Sequence, residues 1–298
     1  MEAAVGYEKE LKSHVERERA AVTLASKVGE LLYDKGIELV LFRNHLTDVT
    51  ISEILNLHEY ARKVVHKSID VFTTSSLAEE ILKMDLAPAK LDIGKLASEW
   101  IEEQANFASK AEFLQKKLTG FESVNNGGIE PRDVVLYGFG RIGRLAAREL
   151  IKQAGKGQQL RLRAIVTRGS SEKDIIKRAS LLRNDSVHGA FKGSVQEDPA
   201  NNAIIINGQI VQMISASNPE DVDYTAYGIN NALVIDNTGV FENREALSRH
   251  LKSKGVSKVL LTAPGKEIPN IVYGINQGTL DIENENIYSA ASCTTNAI

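Results

Sequence analysis

Val134-Val135-Leu136-Tyr137-Gly138-Phe139-Gly140-Arg141-Ile142-Gly143-Arg144 is the stretch whose reading decides the fold. Four apolar residues make a short buried strand, and three glycines spaced G-x-G-x-x-G follow at once. Arg141 to Lys152 then reads as a helix and Leu160 to Val166 as a second strand. The glycines therefore have the strand–turn–helix–strand setting that a lone G-x-G-x-x-G lacks. Gly138 permits the tight turn, Gly140 lets the backbone approach a pyrophosphate, and Gly143 lets the helix pack close to the strand. Free N–H groups and the positive end of the helix dipole suit the negative charge. This is the pattern of a dinucleotide-binding loop.

Downstream the alternation continues. A helix is expected from Ser170 to Leu182. Ile204-Ile205-Ile206, Asn207-Gly208 and Gln209 to Ile214 read as a hairpin, because Asn-Gly favours the type I′ turn. Leu233 to Asp236, Val259 to Thr262 and Ile271-Val272-Tyr273 read as strands, with a helix over Asn243 to Lys252. Strands alternating with helices predict an α/β fold, a Rossmann-type doubly wound and mainly parallel sheet.

Upstream the texture changes. Residues 1 to about 120 are rich in Glu, Lys, Ala and Leu and poor in Gly. Thr50 with Glu53, and Ser76 with Glu79, fit capping boxes. Ile51, Ile54, Leu55, Leu57 and Tyr60 follow helical spacing. Leu96, Trp100, Phe107, Phe113 and Leu118 suggest a last long helix or a helix pair. An all-helical N-terminal region of four or five helices is expected. The boundary falls at Asn125-Asn126-Gly127-Gly128, a turn signal before Pro131. The division is 1–125, a helical extension, and 126–298, a nucleotide-binding domain. His14, His45, His58 and His66 are scattered without metal-ligand spacing, so no metal site is expected.

Of the 298 residues, 43% are hydrophobic and 25% charged, the balance of a globular protein, and the net charge is −3. That charge gives no pull toward nucleic acid or an anionic membrane. No apolar run approaches roughly 18 residues, and the N-terminus lacks the pattern of a secretory signal. There is one cysteine, so no internal disulfide can form, and a cytoplasmic setting is favoured. That cysteine stands in Ser289-Ala290-Ala291-Ser292-Cys293-Thr294-Thr295-Asn296, where a short strand leads into a Ser/Thr-rich run like a helix start. N–H donors at such a start favour thiolates, the nucleophilic form.

Ala291 to Asn296 resembles the active-site motif of the phosphorylating glyceraldehyde-3-phosphate dehydrogenases, and Gly138 to Arg144 is similar to that family's opening glycine loop. Asp185-Ser186-Val187-His188-Gly189, Asn237-Thr238-Gly239-Val240-Phe241 and Thr262-Ala263-Pro264 fall between them in the family's order. The resemblance covers Val134 to Ile298; the helical extension is similar, more weakly, to one in long forms of the enzyme. It implies that Cys293 attacks the aldehyde of glyceraldehyde 3-phosphate and that inorganic phosphate cleaves the resulting thioester. It implies backbone N–H groups of Arg141 and Ile142 on the cofactor, Thr238, Gly239 and Thr262 lining its cleft, and Ser292 and Thr294 in the substrate and phosphate pocket. It also implies a homo-oligomer, a tetramer.

Two departures stand out. The acid expected at the end of the second strand, which binds the adenosine ribose, is replaced in Thr167-Arg168-Gly169. Arg168 could instead fork onto a 2′-phosphate, so the cofactor is NAD or NADP. The family's general-base histidine and its phosphate-binding arginine and threonine lie beyond the cysteine. A catalytic domain is therefore expected to be missing, His188 and His250 being poor substitutes, and nucleotide binding with little turnover is expected of the 298 residues alone. Erythrose-4-phosphate dehydrogenase shares the cysteine motif, and a non-catalytic nucleotide-binding interaction protein is the other alternative.

Overall fold

The structure is a computed structural model and describes residues 2–122, 130–155 and 159–297, with side chains from residue 6 onward. The chain divides into two compact units, Met1–Ile129 and Glu130–Ile298. The Asn125–Gly128 turn lies outside the described residues.

In the first unit the described elements are α1 (Glu2–Lys35), β1 (Glu38–Leu41), β2 (Asn44–His45), α2 (Ile51–Lys63), α3 (Val71–Lys83), β3 (Lys90–Asp92), α4 (Ile93–Glu103) and α5 (Lys110–Lys117). Leu24, Leu31, Ile54, Leu77, Ile81, Ile93 and Phe113 form its core, all fully buried. The capping box at Thr50 is present: its hydroxyl accepts from Glu53 N at 3.2 Å, and its own N–H donates to Glu53 Oε2 at 2.6 Å. Ser76 is different. Asp70 caps α3 instead, accepting from Thr73 N, and Ser76 sits inside the helix, donating to the Thr73 carbonyl. The last expected helix is a pair, α4 and α5, held by Trp100 edge-on to Phe113 at 5.4 Å.

The region is not all-helical. β1 pairs antiparallel with β2 and parallel with β3. The β1–β2 turn places Phe42 and Arg43 at φ 45° and 71°, two left-handed residues in succession. Such a turn normally announces itself by Asn-Gly, and Phe-Arg carries no such signal.

The second unit is built on β4 (Arg132–Tyr137), α6 (Arg141–Gln153), β5 (Leu160–Thr167), α7 (Glu172–Arg183), β6 (Asn184–Asp185), β7 (Gly189–Ala190), β8 (Val195–Asp198), β9 (Ala203–Ile206), β10 (Gln209–Ser215), β11 (Ala232–Asp236), α8 (Arg244–Leu251), β12 (Val256–Leu261), β13 (Ile287–Ser289) and α9 (Cys293–Ala297). Its main sheet runs β13-β12-β11-β4-β5-β10-β9-β8. From β13 to β10 every pairing is parallel, and β9 and β8 add an antiparallel edge. Taken in chain order, the six parallel strands lie 3-2-1-4-5-6, the doubly wound Rossmann arrangement. Alternation along β4 explains the two layers. Val134 and Leu136 pack with Ala147, Ile151, Ile175 and Ala179 of α6 and α7, while Val135 and Tyr137 face Val222, Tyr224 and Ile229.

The Asn207-Gly208 hairpin forms as expected, with φ of 47° and 78° joining β9 to β10. Ile271-Val272-Tyr273 does not form a strand. The Asn276 side chain takes the Val272 N–H at 2.8 Å, Ile275 N and Asn276 N both donate to the Val272 carbonyl, and the chain turns through Gly274 at φ 90°. Among the described residues no helix is long and apolar enough to cross a membrane.

Candidate functional site

Parallel strands end at one edge of their sheet, so whatever follows them is gathered there. The glycine turn follows β4, Arg168 follows β5, Thr238 and Gly239 follow β11, Thr262 follows β12, and the Ser292–Thr294 run follows β13. Every site residue expected from the sequence thus lies on this one edge, or at the start of the helix that leaves it.

The three glycines do different work. Gly138 has φ 92°, and a Cβ there would come 2.9 Å from Thr238 Cγ2. A Cβ on Gly143 would lie 2.5 Å from the Gly138 carbonyl, so α6 can start this close to β4 only without a side chain. Gly140 is the opposite case: a Cβ there would meet nothing within 4 Å. Packing therefore does not require glycine at 140, and a ligand backbone approaching it would. Gly140 is the N-cap of α6 and offers no capping side chain, so no side chain of the N-cap takes the N–H groups of the first turn, Arg141, Ile142 and Gly143. An open backbone at the positive end of a 13-residue helix fits a pyrophosphate.

Opposite Gly138, Asp236 organises the next turn. It is fully buried, and its Oδ1 accepts from Thr238 N at 2.9 Å and Thr238 Oγ1 at 2.7 Å. Its carbonyl accepts from Thr262 Oγ1 at 2.9 Å, which ties the ends of β11 and β12 together. Its Oδ2 meets His250 Nε2 at 2.9 Å. Neither Asp236 nor a buried role for His250 was expected. On α8, however, Leu247, His250 and Leu251 follow core spacing, and that signal was available. Tyr137 stacks edge-on against His250, and burial followed by the charge of Asp236 pushes its phenol up to about 12.

Beyond β5 the side chain of Arg168 is exposed. The strand end has no acid in sequence, but it has one beside it in space. Asp174, from the first turn of α7, comes so close to Gly169 that a Cβ there would lie 2.8 Å from its Oδ2. That carboxylate accepts from the Ser171 hydroxyl at 2.6 Å and from Ser171 N at 3.2 Å, and the hydroxyl bond chiefly holds its pKa below the usual carboxylate range.

Cys293 opens α9 and is exposed. Ser292 Oγ caps this turn, accepting from Thr295 N at 2.9 Å, while Thr294 is exposed. Ala291 holds φ 57°, a strained value for a residue with a Cβ, and Ser289 Oγ accepts its N–H at 3.0 Å. Asn296 Nδ2 donates to the Ala290 and Ser292 carbonyls. The His188 ring is paired to Asp185 at 3.1 Å. The backbone N–H groups of His188 and Val187 hold the Asp185 carboxyl far below the usual range. Among the described residues no cluster of three or more His, Cys, Asp or Glu could hold a metal ion.

Comparison with known proteins agrees with this geometry. Residues 132–244 match the family described as glyceraldehyde 3-phosphate dehydrogenase, NAD binding domain. Over 278 residues the chain is 42% identical to a glyceraldehyde-3-phosphate dehydrogenase-like protein of Pseudomonas aeruginosa (strain UCBPP-PA14), covering 91% of this chain and 59% of that protein. This match is longer than the whole second unit, so it includes most of the helical one. The glyceraldehyde-3-phosphate dehydrogenases of Lactococcus lactis (subsp. lactis, strain IL1403) and Streptococcus pyogenes are 36% and 34% identical, each over 55% of this chain and 45% and 46% of their own lengths. The chain spans about half the length of the curated relatives it matches. Over residues 132–244 the chain is thus similar to the NAD-binding domain of the glyceraldehyde 3-phosphate dehydrogenases, and over most of its length to the dehydrogenase-like protein.

Proposed function

We propose that this chain binds the dinucleotide and supplies the nucleophile of an enzyme that oxidises glyceraldehyde 3-phosphate with inorganic phosphate to 1,3-bisphosphoglycerate. The observation that carries the reading is the common edge of the parallel sheet, which gathers the glycine turn, Thr238, Thr262 and the Cys293 turn.

In this reading the N–H groups of Arg141 and Ile142 hold the pyrophosphate, Gly140 leaves room for it, and Thr238, Gly239 and Thr262 line the cleft. Cys293 Sγ forms a bond to the aldehyde carbon, giving a thiohemiacetal. The chemistry a bound nicotinamide would supply is acceptance of the hydride lost as that carbon becomes a thioester, while the hydroxyl proton leaves to water. A phosphate oxygen then adds to the carbonyl carbon, the C–S bond breaks, and the sulfur leaves as the Cys293 thiolate. Ser292 and Thr294 flank the cysteine as donors toward substrate and phosphate, Ser292 while also capping α9. Either NAD or NADP is the cofactor: Arg168 and Asp174 stand near the same loop with opposite charge, one favouring a 2′-phosphate and the other repelling it. The working protein is a homo-oligomer.

The test is reduction of NAD or NADP, read by near-ultraviolet absorbance, with glyceraldehyde 3-phosphate, phosphate and the protein that carries this chain. Cys293→Ser should reduce the rate to background. A serine variant with an undiminished rate would refute the role of Cys293.

A further inference from the structure

We propose that His250 is a positioning residue of the dinucleotide site, acting through Asp236 on the Thr238–Gly239 turn. This rests on the reading of that edge as a nucleotide site. His250 and Asp236 are both fully buried, and the imidazole Nε2 meets Asp236 Oδ2 at 2.9 Å. The other ring nitrogen, Nδ1, is buried with no hydrogen-bond partner. Around the ring stand Tyr137 at 4.7 Å and Phe241 at 5.6 Å, both edge-on.

A polar ring with only one of its two nitrogens satisfied is a poor choice for filling a core, where an apolar side chain leaves no orphan. The single bond that His250 makes is therefore its reason for being there. Nδ1 has no partner and Asp236 Oδ2 accepts, so the hydrogen on Nε2 is the one that bonds Asp236. Asp236 needs that donor. Its Oδ1 is occupied by the N–H and hydroxyl of Thr238, and its Oδ2, equally buried, would otherwise be unpaired.

The path continues to the cleft. Thr238 Oγ1 accepts from Val240 N at 3.1 Å, which closes the turn, and the Thr238 methyl occupies the place where a Cβ on Gly138 would come to 2.9 Å. His250 thus fixes the carboxylate, the carboxylate fixes Thr238, and Thr238 sets the gap beneath the glycine turn.

Calorimetric titration of the whole chain with NAD tests this, using His250→Leu, His250→Gln, Thr238→Ala and the His250→Leu/Thr238→Ala double variant. Leaving one buried carboxylate oxygen unpaired should weaken NAD binding by about tenfold or more in His250→Leu. Glutamine can donate to Asp236 through its amide, so His250→Gln should bind within about threefold of the wild type. Because both residues act along one path, the double variant should be little weaker than the worse single variant. The proton spectrum gives a readout that does not depend on the leucine variant folding. The wild type should show a downfield imidazole N–H, absent in His250→Gln, that moves when NAD is added. Wild-type affinity in both His250 variants, or losses that multiply in the double variant, would overturn the positioning role while leaving the nucleotide site standing. A wild type that does not bind NAD would overturn both.

Discussion

Gly140→Ala and Gly143→Ala should fail in opposite ways, although they differ by one methyl each and lie three residues apart. At 140 the backbone is at φ −74°, which alanine adopts without strain, and the new methyl would meet nothing within 4 Å. Alanine is a weaker N-cap than glycine, but it also restricts the unfolded chain, so the net change in stability should stay within about 1 kcal/mol. At 143 the methyl would sit 2.5 Å from the Gly138 carbonyl, almost an ångström inside ordinary contact and against backbone that cannot rotate away. Either α6 or the glycine turn must move. Overpacking of this kind costs about 1–3 kcal/mol, and the gain in helix propensity of alanine over glycine, about 1 kcal/mol, offsets part of it. Scanning calorimetry should place the second unit's transition for Gly143→Ala a few degrees lower, at about 2–4 °C per kcal/mol. Gly140→Ala should melt like the wild type yet bind NAD much more weakly, because its methyl projects where the pyrophosphate approaches. A Gly140→Ala chain of wild-type stability and wild-type NAD affinity would refute the assignment of that space to the ligand.

Other outcomes follow from the same structure. Burial holds the His58 pKa below its ordinary 6.5, while the ring bridges the Ile54 carbonyl and Thr74 and the charge of Asp70 acts in the opposite sense. The neutral form is favoured on folding, so the contribution to stability is complete above about pH 6.5 and is lost as pH falls toward the folded-state pKa. Trp100 is the only tryptophan and lies in the helical unit, so its fluorescence should report a lower melting temperature at about pH 5 than at about pH 7.5. His58→Leu should flatten that difference; an equal difference in the variant would assign it to other groups. Phe113→Ala should destabilise the helical unit by about 3–5 kcal/mol by the same fluorescence, since the ring is fully buried between Trp100 and Phe107. Arg168→Ala should weaken NADP much more than NAD in paired titrations, and equal losses would remove Arg168 from cofactor choice.

What was legible in the sequence is what short-range chemistry writes there. The glycine loop, the Asn207-Gly208 hairpin and the Thr50 capping box each need particular residues within a few positions, and each is found in the structure. The small β1–β2–β3 sheet escaped because its turn is made by Phe42 and Arg43, whose left-handed backbone no propensity announces. Ile271-Val272-Tyr273 has strand composition, but the Asn276 side chain takes the N–H that a strand partner would need. The buried Asp236–His250 pair joins residues 14 apart on different elements, and α8 looks charged until its Leu247, His250 and Leu251 face is separated from the rest. Asp174 shows the same limit: absent from the end of β5 in sequence, a carboxylate reaches Gly169 from the next helix.

The central claim is that the carboxyl edge of the parallel sheet binds a nicotinamide dinucleotide. Hydrogen exchange of the chain with and without NAD tests it most directly, because the N–H groups in question are named. The account predicts slowed exchange at the start of α6, over Arg141, Ile142 and Gly143, and at Thr238 to Val240, with the helical unit unchanged. No protection anywhere, or protection confined to residues before Glu130, would contradict it.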